Sequence, residues 1–198
     1  MLKIGILALQ GDFDAHRKRL EELGAAVVLV RKPEQLAGID GLIIPGGESS
    51  VFLNLLGEKG FQQLTDFVLS KPVFGTCAGC ILLALEVESP AQKGIGALDI
   101  TVRRNAYGRQ IDSTILEGPS KLGGPPLEQV YIRAPRIERV GPTVEVLAER
   151  DGHPVLIRQG RLLAATFHPE LSDDTRVHAE FLRLVERNAE ENAEQNKG

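Results

Sequence analysis

The sequence is poor in cysteine and in the largest aromatic side chain. Its 198 residues include two cysteines, one methionine and no tryptophan. Two cysteines cannot supply the disulfide framework that stabilises many small secreted domains. Because we also recognise no export signal, we expect a cytoplasmic location. A chain of this length can bury a proper core without cross-links, so we expect a single domain over residues 1–188 and a polar, flexible tail over residues 189–198.

Two further absences exclude classes of partner. The formal net charge is −4, so no overall positive field attracts nucleic acid. No apolar run reaches the roughly 20 residues that a membrane-spanning helix needs. The apolar stretch at the N-terminus, MLKIGILALQGD, is short and leads directly into charged residues. We therefore interpret it as a buried strand, and we expect neither nucleic acid nor a membrane as a partner.

Strand patterns alternate with helix patterns in the first 85 residues. Short apolar runs predict strands at residues 3–9, 26–30, 41–44 and 72–75. Helical spacing and capping residues predict helices at residues 13–23, 49–56, 60–69 and 78–85. Strands that alternate with helices favour right-handed crossovers and a mainly parallel sheet.

The pattern changes after about Pro90, where strands follow one another with almost no helix between them. We predict strands at residues 101–104, 129–133, 144–149, 155–159 and 162–167, and a last helix at residues 173–188. Asp151-Gly152 and Gln159-Gly160 are typical of tight hairpins. The predicted fold is therefore a three-layer, flavodoxin-like α/β fold, whose mainly parallel open sheet carries an antiparallel extension.

Both cysteines lie in one short segment, FGTCAGC, and the segment allows two interpretations. The Cys77-x-x-Cys80 spacing is that of a redox dithiol. The pattern Gly75-x-Cys77-x-Gly79, between a predicted strand and a helix, is that of a nucleophile on a tight turn. In the second case the N–H of Ala78 is free to donate to an oxyanion. In that case Cys80, which lies in the predicted helix, can turn towards the protein core and be inert.

A thiol nucleophile needs a base, and the base needs an acceptor that orients it. His168 ends the predicted strand LLAATF, and Glu170 follows two residues later on the same side of an extended chain. Strand ends of an open α/β sheet meet at the edge where ligands bind. Cys77, His168 and Glu170 are therefore the candidate triad. We interpret the other histidines, His16, His153 and His178, as structural or solvated.

A third strand ends in a pair of glycines, in the segment GLIIPGGES. Gly46 and Gly47 allow backbone N–H groups to approach a substrate closely. Together with the two junctions above, this segment resembles the class I glutamine amidotransferases. Within them, six segments resemble the glutaminase subunits of pyridoxal phosphate synthase, in order along essentially the whole chain: LALQG, GLIIPGGES, FGTCAG, RRNAYGRQ, YIRAP and FHPEL. The sequence departs from that family at Ser50, where threonine is usual, and at Cys80, where an apolar residue is usual.

The resemblance implies that the chain hydrolyses L-glutamine and needs neither cofactor nor metal. It implies an oxyanion hole formed by Gly46, Gly47 and Ala78. It also implies that the substrate is bound by six residues that come from three segments: Gly47, Glu48, Ser49, Arg104, Ile132 and Arg133.

The resemblance further implies a partner that uses the ammonia. This partner is a (β/α)8-barrel synthase in a large heteromeric complex, with Gln10 at the contact and activation region. Three other functions stay open: a glutaminase subunit of another synthase, a Cys77/Cys80 dithiol oxidoreductase, and a non-catalytic binding module.

Overall fold

A computed structural model describes residues 2–106 and 113–195. The strands are β1 Lys3–Leu7, β2 Ala26–Val30, β3 Gly41–Ile44, β4 Val73–Thr76, β5 Ala84–Glu88, β6 Leu98–Arg103, β7 Ser113–Gly118, β8 Leu127–Ile132, β9 Arg136–Val140, β10 Glu145–Arg150, β11 His153–Gln159 and β12 Leu162–Ala165. The helices are α1 Phe13–Glu22, α2 Ser49–Ser70, α3 Ala78–Leu83 and α4 Arg176–Gln195. Short 3-10 turns occupy Pro33–Gly38 and Pro169–Leu171.

The central sheet has seven strands in the order β10-β11-β12-β4-β3-β1-β2. The pairs from β12 to β2 are all parallel, whereas β10 and β11 extend the sheet in antiparallel fashion. Both predicted hairpins form, since Arg150 pairs with His153 and Gln159 pairs with Leu162. The predicted mainly parallel sheet with an antiparallel extension is confirmed.

Helices cover both faces of this sheet. Alternate residues of each strand point to opposite sides, and the apolar residues on both sides pack against helices. Within β3, Leu42 and Ile44 pack into one core with Phe52 of α2, whereas Ile43 packs into a second core with Phe181 of α4. These two cores give the three predicted layers. No helix within residues 2–106 and 113–195 is long and apolar enough to cross a membrane.

Several predicted boundaries were wrong. The helix at 78–85 ends at Leu83, because β5 begins there and pairs with β6. The last helix runs to Gln195 instead of ending near residue 188. Its buried residues end at Val185, so helical periodicity gives no signal beyond that point. The division into one domain and a flexible tail stays a prediction.

Strands β5, β7 and β9 were not predicted. They belong to two small sheets beside the central one, with the strand orders β5-β6-β9 and β7-β8. Strand β7 is exposed or half-buried throughout, so it lacks the alternation that marks a strand with one buried face. Within α2 the backbone leaves the helical conformation at Gly57, where φ is 62° and ψ is −178°, so the span consists of two helical segments that meet at a kink, as the two helices predicted at residues 49–56 and 60–69 require.

Candidate active site

Four neighbouring parallel strands, β12, β4, β3 and β1, end at one edge of the central sheet. Because the strands are parallel, the segments that follow them lie side by side. The predicted site residues that follow these strands are His168 and Glu170 after β12, Cys77 after β4, Gly46 and Gly47 after β3, and Gln10 after β1.

Cys77 occupies a sharp turn between β4 and α3. Its backbone has φ 48° and ψ −103°, in a region that side chains other than glycine rarely adopt. The turn is tight because two glycines lie beneath it. A Cβ on Gly75 would lie 2.6 Å from the carbonyl carbon of Gly79, and a Cβ on Gly79 would lie 2.1 Å from the carbonyl oxygen of Ile44. The predicted strand–turn–helix geometry around Cys77 is therefore present.

The His168 ring is fixed by Glu170. Nδ1 of His168 donates to Oε1 of Glu170 across 2.7 Å, and both residues are buried. Burial alone lowers the pKa of His168, but hydrogen bonds with Cys77 and Glu170, together with their charges, outweigh it and raise the pKa to about 10. The surroundings of the imidazole therefore favour its protonated form, so His168 is suited to take the proton of the Cys77 thiol and leave a thiolate beside an imidazolium. That is the charge arrangement found in activated cysteine hydrolases.

The turn after β3 packs against both the triad and the end of β1. A Cβ on Gly46 would lie 3.1 Å from Nδ1 of His168, and a Cβ on Gly11 would lie 1.8 Å from the carbonyl oxygen of Gly46. The Gln10 side chain holds this turn, since its Nε2 donates to the carbonyl oxygen of Glu48 and its Oε1 lies 3.4 Å from the Glu48 nitrogen. The segments LALQG and PGGES therefore pack against each other next to the triad.

A pocket of about 180 Å³ opens in front of Cys77 and His168. All six residues predicted to bind substrate line it, namely Gly47, Glu48, Ser49, Arg104, Ile132 and Arg133. Nη2 of Arg104 lies 3.1 Å from Oε1 of Glu48, so a cation and a carboxylate stand together at the pocket wall. Ala78 is buried and does not line the pocket, but it begins α3, so its N–H has no acceptor within the helix.

The surroundings of Cys80 disfavour its thiolate form. It is fully buried, and burial, with the neighbouring Cys77, raises the pKa of its thiol to about 12. Both cysteines are free. Because the thiolate is the form that reacts, these properties favour Cys77 as the single nucleophile of the segment.

His16 and His178 are fully buried, so the alternative that they are solvated is wrong. Nδ1 of His16 lies 2.9 Å from Nε2 of His178. Nε2 of His16 lies 3.1 Å from Oγ1 of Thr76 and 3.4 Å from Oε2 of Glu170. The helices α1 and α4 therefore contribute a buried pair of histidines behind the triad. The spacing of apolar residues in the sequence did not distinguish these two histidines from other residues on amphipathic helices.

The whole-chain pattern of these segments matches a known family. The model of the SNO glutamine amidotransferase family matches residues 6–187. The chain belongs to the SNO glutamine amidotransferase family.

Curated relatives agree along nearly the full chain. A protein of Koribacter versatilis named pyridoxal 5'-phosphate synthase subunit PdxT is 71% identical over 184 residues, which cover 93% of this chain and 96% of the relative. A protein of the same name from Solibacter usitatus is 53% identical over 189 residues and covers 92% of this chain and 98% of the relative. A solved structure described as a glutamine amidotransferase superposes with a TM-score of 0.86 at 45% identity, over 92% of this chain and 98% of that one.

Four further residues line the pocket that were not predicted to do so: Asp12, Ile81, Asn105 and Pro135. Three of them lie in or directly beside segments that carry the family resemblance, so those segments held the signal.

Asp12, His168 and Glu170 bring donor atoms within 4.8 Å of one another. Since His168 and Glu170 already bond to each other, we keep the absence of a metal as a prediction. Residues 107–110 of the segment RRNAYGRQ lie outside the described residues.

The buried histidines predict how the stability of this family member depends on pH. Burial, with a smaller contribution from the charge of Arg19, lowers the pKa of His178 from 6.5 to about 3. Below about pH 6.5 the unfolded chain binds a proton at His178 that the folded chain does not bind, so stability falls as the pH falls towards 3. This costs about 1.4 kcal/mol per pH unit. His178 is surrounded by His16, Arg19 and Phe74.

Urea unfolding at about pH 7.5 and about pH 5 checks this dependence. We expect His178→Leu to lose less stability than the wild type between the two pH values, whatever its stability at the higher one. His153→Leu removes a half-buried histidine at the start of β11, which is not a member of this pair, and should keep the wild-type difference. An unchanged difference in His178→Leu would contradict the prediction.

Proposed function

We propose that this chain is the glutaminase subunit of a pyridoxal 5'-phosphate synthase. It hydrolyses L-glutamine to L-glutamate and ammonia, and the ammonia passes to a synthase partner. The observation that carries this proposal is the 71% identity to a relative of that name, together with a Cys77–His168–Glu170 arrangement at the mouth of a pocket.

In the proposed mechanism, Cys77 attacks the carbon of the side-chain amide. The oxyanion that forms accepts hydrogen bonds from the N–H of Ala78 and from the turn of Gly46 and Gly47. His168 takes the proton of the Cys77 thiol and gives it to the departing ammonia, which leaves a glutamyl thioester on Cys77. His168 then takes a proton from the water that attacks the thioester and returns it to the Cys77 sulfur as the C–S bond breaks and glutamate leaves. Glu170 keeps the imidazole oriented through both steps.

The pocket wall supports recognition of a free amino acid. A zwitterion presents an ammonium and a carboxylate on one carbon, and Glu48 and Arg104 offer the two complementary charges 3.1 Å apart. Arginine is suited to binding a carboxylate through two hydrogen bonds. We assign Glu48 to the α-ammonium, and Arg104 with the Ile132-Arg133 segment to the α-carboxylate.

We propose that the partner is a (β/α)8-barrel subunit that docks over the end of β1. Gln10 supports this position, because its side chain bridges β1 to the turn that carries the proposed oxyanion hole. A partner that moves Gln10 thereby moves the turn. We also keep the cytoplasmic location and the absence of a cofactor as predictions from the sequence.

The experiment that tests the function follows the amide nitrogen. The purified chain is mixed with the synthase subunit of the same organism, pentose and triose phosphates, and glutamine labelled with ¹⁵N in the amide. We expect glutamate release to rise severalfold over that of the chain alone and the label to enter pyridoxal 5'-phosphate. Hydrolysis at the full rate by the chain alone would contradict the proposed activation by the partner. Hydrolysis without transfer would point to another synthase, for which a pull-down would identify the subunit.

A further inference from the structure

A buried polar chain extends from the triad into the helical layer. Oε1 of Glu170 binds His168, while Oε2 makes no hydrogen bond of good geometry within the described residues and faces Nε2 of His16 at 3.4 Å. His16 in turn contacts His178 at 2.9 Å and Thr76 at 3.1 Å. The mechanism above uses none of these three residues. They come from α1, α4 and the end of β4.

The contacts of His16 and His178 allow two placements of their protons and favour one of them. If Nδ1 of His16 donated to Nε2 of His178, the proton of neutral His178 would sit on Nδ1, which has no partner among residues 2–106 and 113–195. Nε2 of His16 would then turn a lone pair towards the carboxylate. In the opposite arrangement, Nε2–H of His178 donates to Nδ1 of His16, and Nε2–H of His16 faces Glu170. A buried N–H without an acceptor is rarer than an acceptor without a donor, so the second arrangement is favoured.

Both rings are neutral in this arrangement. Burial holds the pKa of His16 well below its usual value, with further lowering by His178 and His168. A neutral donor suits this position, because a second imidazolium on Glu170 would compete with His168 for the carboxylate. Thr76 is also buried, and the contact of its hydroxyl with Nε2 of His16 at 3.1 Å has hydrogen-bond geometry. The Nε2–H is therefore shared between the Thr76 oxygen and the Glu170 carboxylate at 3.4 Å.

We propose that His16 is a positioning residue for the glutaminase reaction, and that its Nε2–H orients the Glu170 carboxylate while His178 fixes the His16 tautomer. The observation behind this is the unbroken sequence of contacts His178–His16–Glu170–His168, all within the protein interior. Groups that orient the ligands of a metal site typically contribute a factor of about 10 to 100 to activity, and we expect a similar factor for a group that orients a catalytic carboxylate.

The kinetic test rests on the proposed function and uses the complex with the synthase subunit. His16→Leu removes the donor, whereas His16→Gln returns an N–H near the place of Nε2. We expect kcat to fall about 10-fold to 100-fold in His16→Leu with KM nearly unchanged, and to recover largely in His16→Gln. The acid limb of the kcat profile should move to higher pH in His16→Leu, because a carboxylate with one donor fewer holds the protonated form of His168 more strongly, and His168 must lose that proton to act as a base. Thermal melting of both variants separates this effect from unfolding.

A second measurement uses the unaltered chain, so it depends neither on turnover nor on the folding of a variant. The ¹⁵N shifts of the imidazoles in the unaltered chain report the tautomer of each histidine. We expect His16 and His178 to be neutral and protonated on Nε2. Protonation of His16 on Nδ1 alone would overturn the proposal. So would a folded His16→Leu with wild-type kcat and acid limb, or an equal loss in His16→Leu and His16→Gln with an unmoved acid limb, which would show a structural role only.

Discussion

Cys77→Ala is expected to abolish glutamine hydrolysis by the complex, whereas Cys80→Ala is expected to retain it. Loss of a nucleophile from a triad typically lowers kcat by about 10⁵-fold to 10⁶-fold, because the remaining residues act only as a unit. Cys77 lies at a strained turn next to His168, with the pocket in front of it. Cys80 is buried in α3, and its thiol pKa of about 12 keeps it protonated at neutral pH.

The two substitutions are a matched pair, since each removes one sulfur atom from the same short segment. Cys80→Ala should cost about 1 kcal/mol of stability through the small cavity it leaves. Steady-state hydrolysis and unfolding are measured on both variants. The dithiol oxidoreductase hypothesis makes the opposite prediction for Cys80, so loss of activity in a folded Cys80→Ala would favour that hypothesis over the glutaminase.

The central sheet could be predicted because its strands leave a clear trace in the sequence. Strands such as β2 and β3 are short apolar runs bounded by turn residues, and their predicted bounds agree with the structure. The small sheets could not be predicted in the same way. Strand β9 reads RIERV and has one fully buried side chain, Ile137, so its charged residues hide the pairing with β6.

The candidate triad could be located because each member follows a strand of one parallel sheet. Turn glycines mark the Cys77 and Gly46 junctions, and the residue order His168-Pro169-Glu170 marks the third. The histidines behind the triad could not be located. His16 and His178 are far apart in sequence, and only the packing of α1 and α4 against the same face of the sheet brings them together.

Gly46→Ala is expected to lower glutamine hydrolysis by about 100-fold or more while leaving the chain folded. A Cβ at this position would lie 2.5 Å from Cε1 of His168 and 3.5 Å from Cβ of Cys77. Atoms cannot approach to 2.5 Å without movement, and the His168 ring is held by its 2.7 Å bond to Glu170. Either the ring moves away from Cys77, or the turn that carries the proposed oxyanion hole moves.

Gly38→Ala is the matched control, because no atom lies within 4 Å of a Cβ there and its backbone is not left-handed. It should keep wild-type activity. Alkylation of Cys77 by iodoacetamide needs no oxyanion hole, so it separates the two possible movements. Slow alkylation together with slow hydrolysis means that His168 has been displaced, whereas normal alkylation with slow hydrolysis means that the turn has been distorted. Wild-type hydrolysis in Gly46→Ala would contradict the close packing of this turn on the triad.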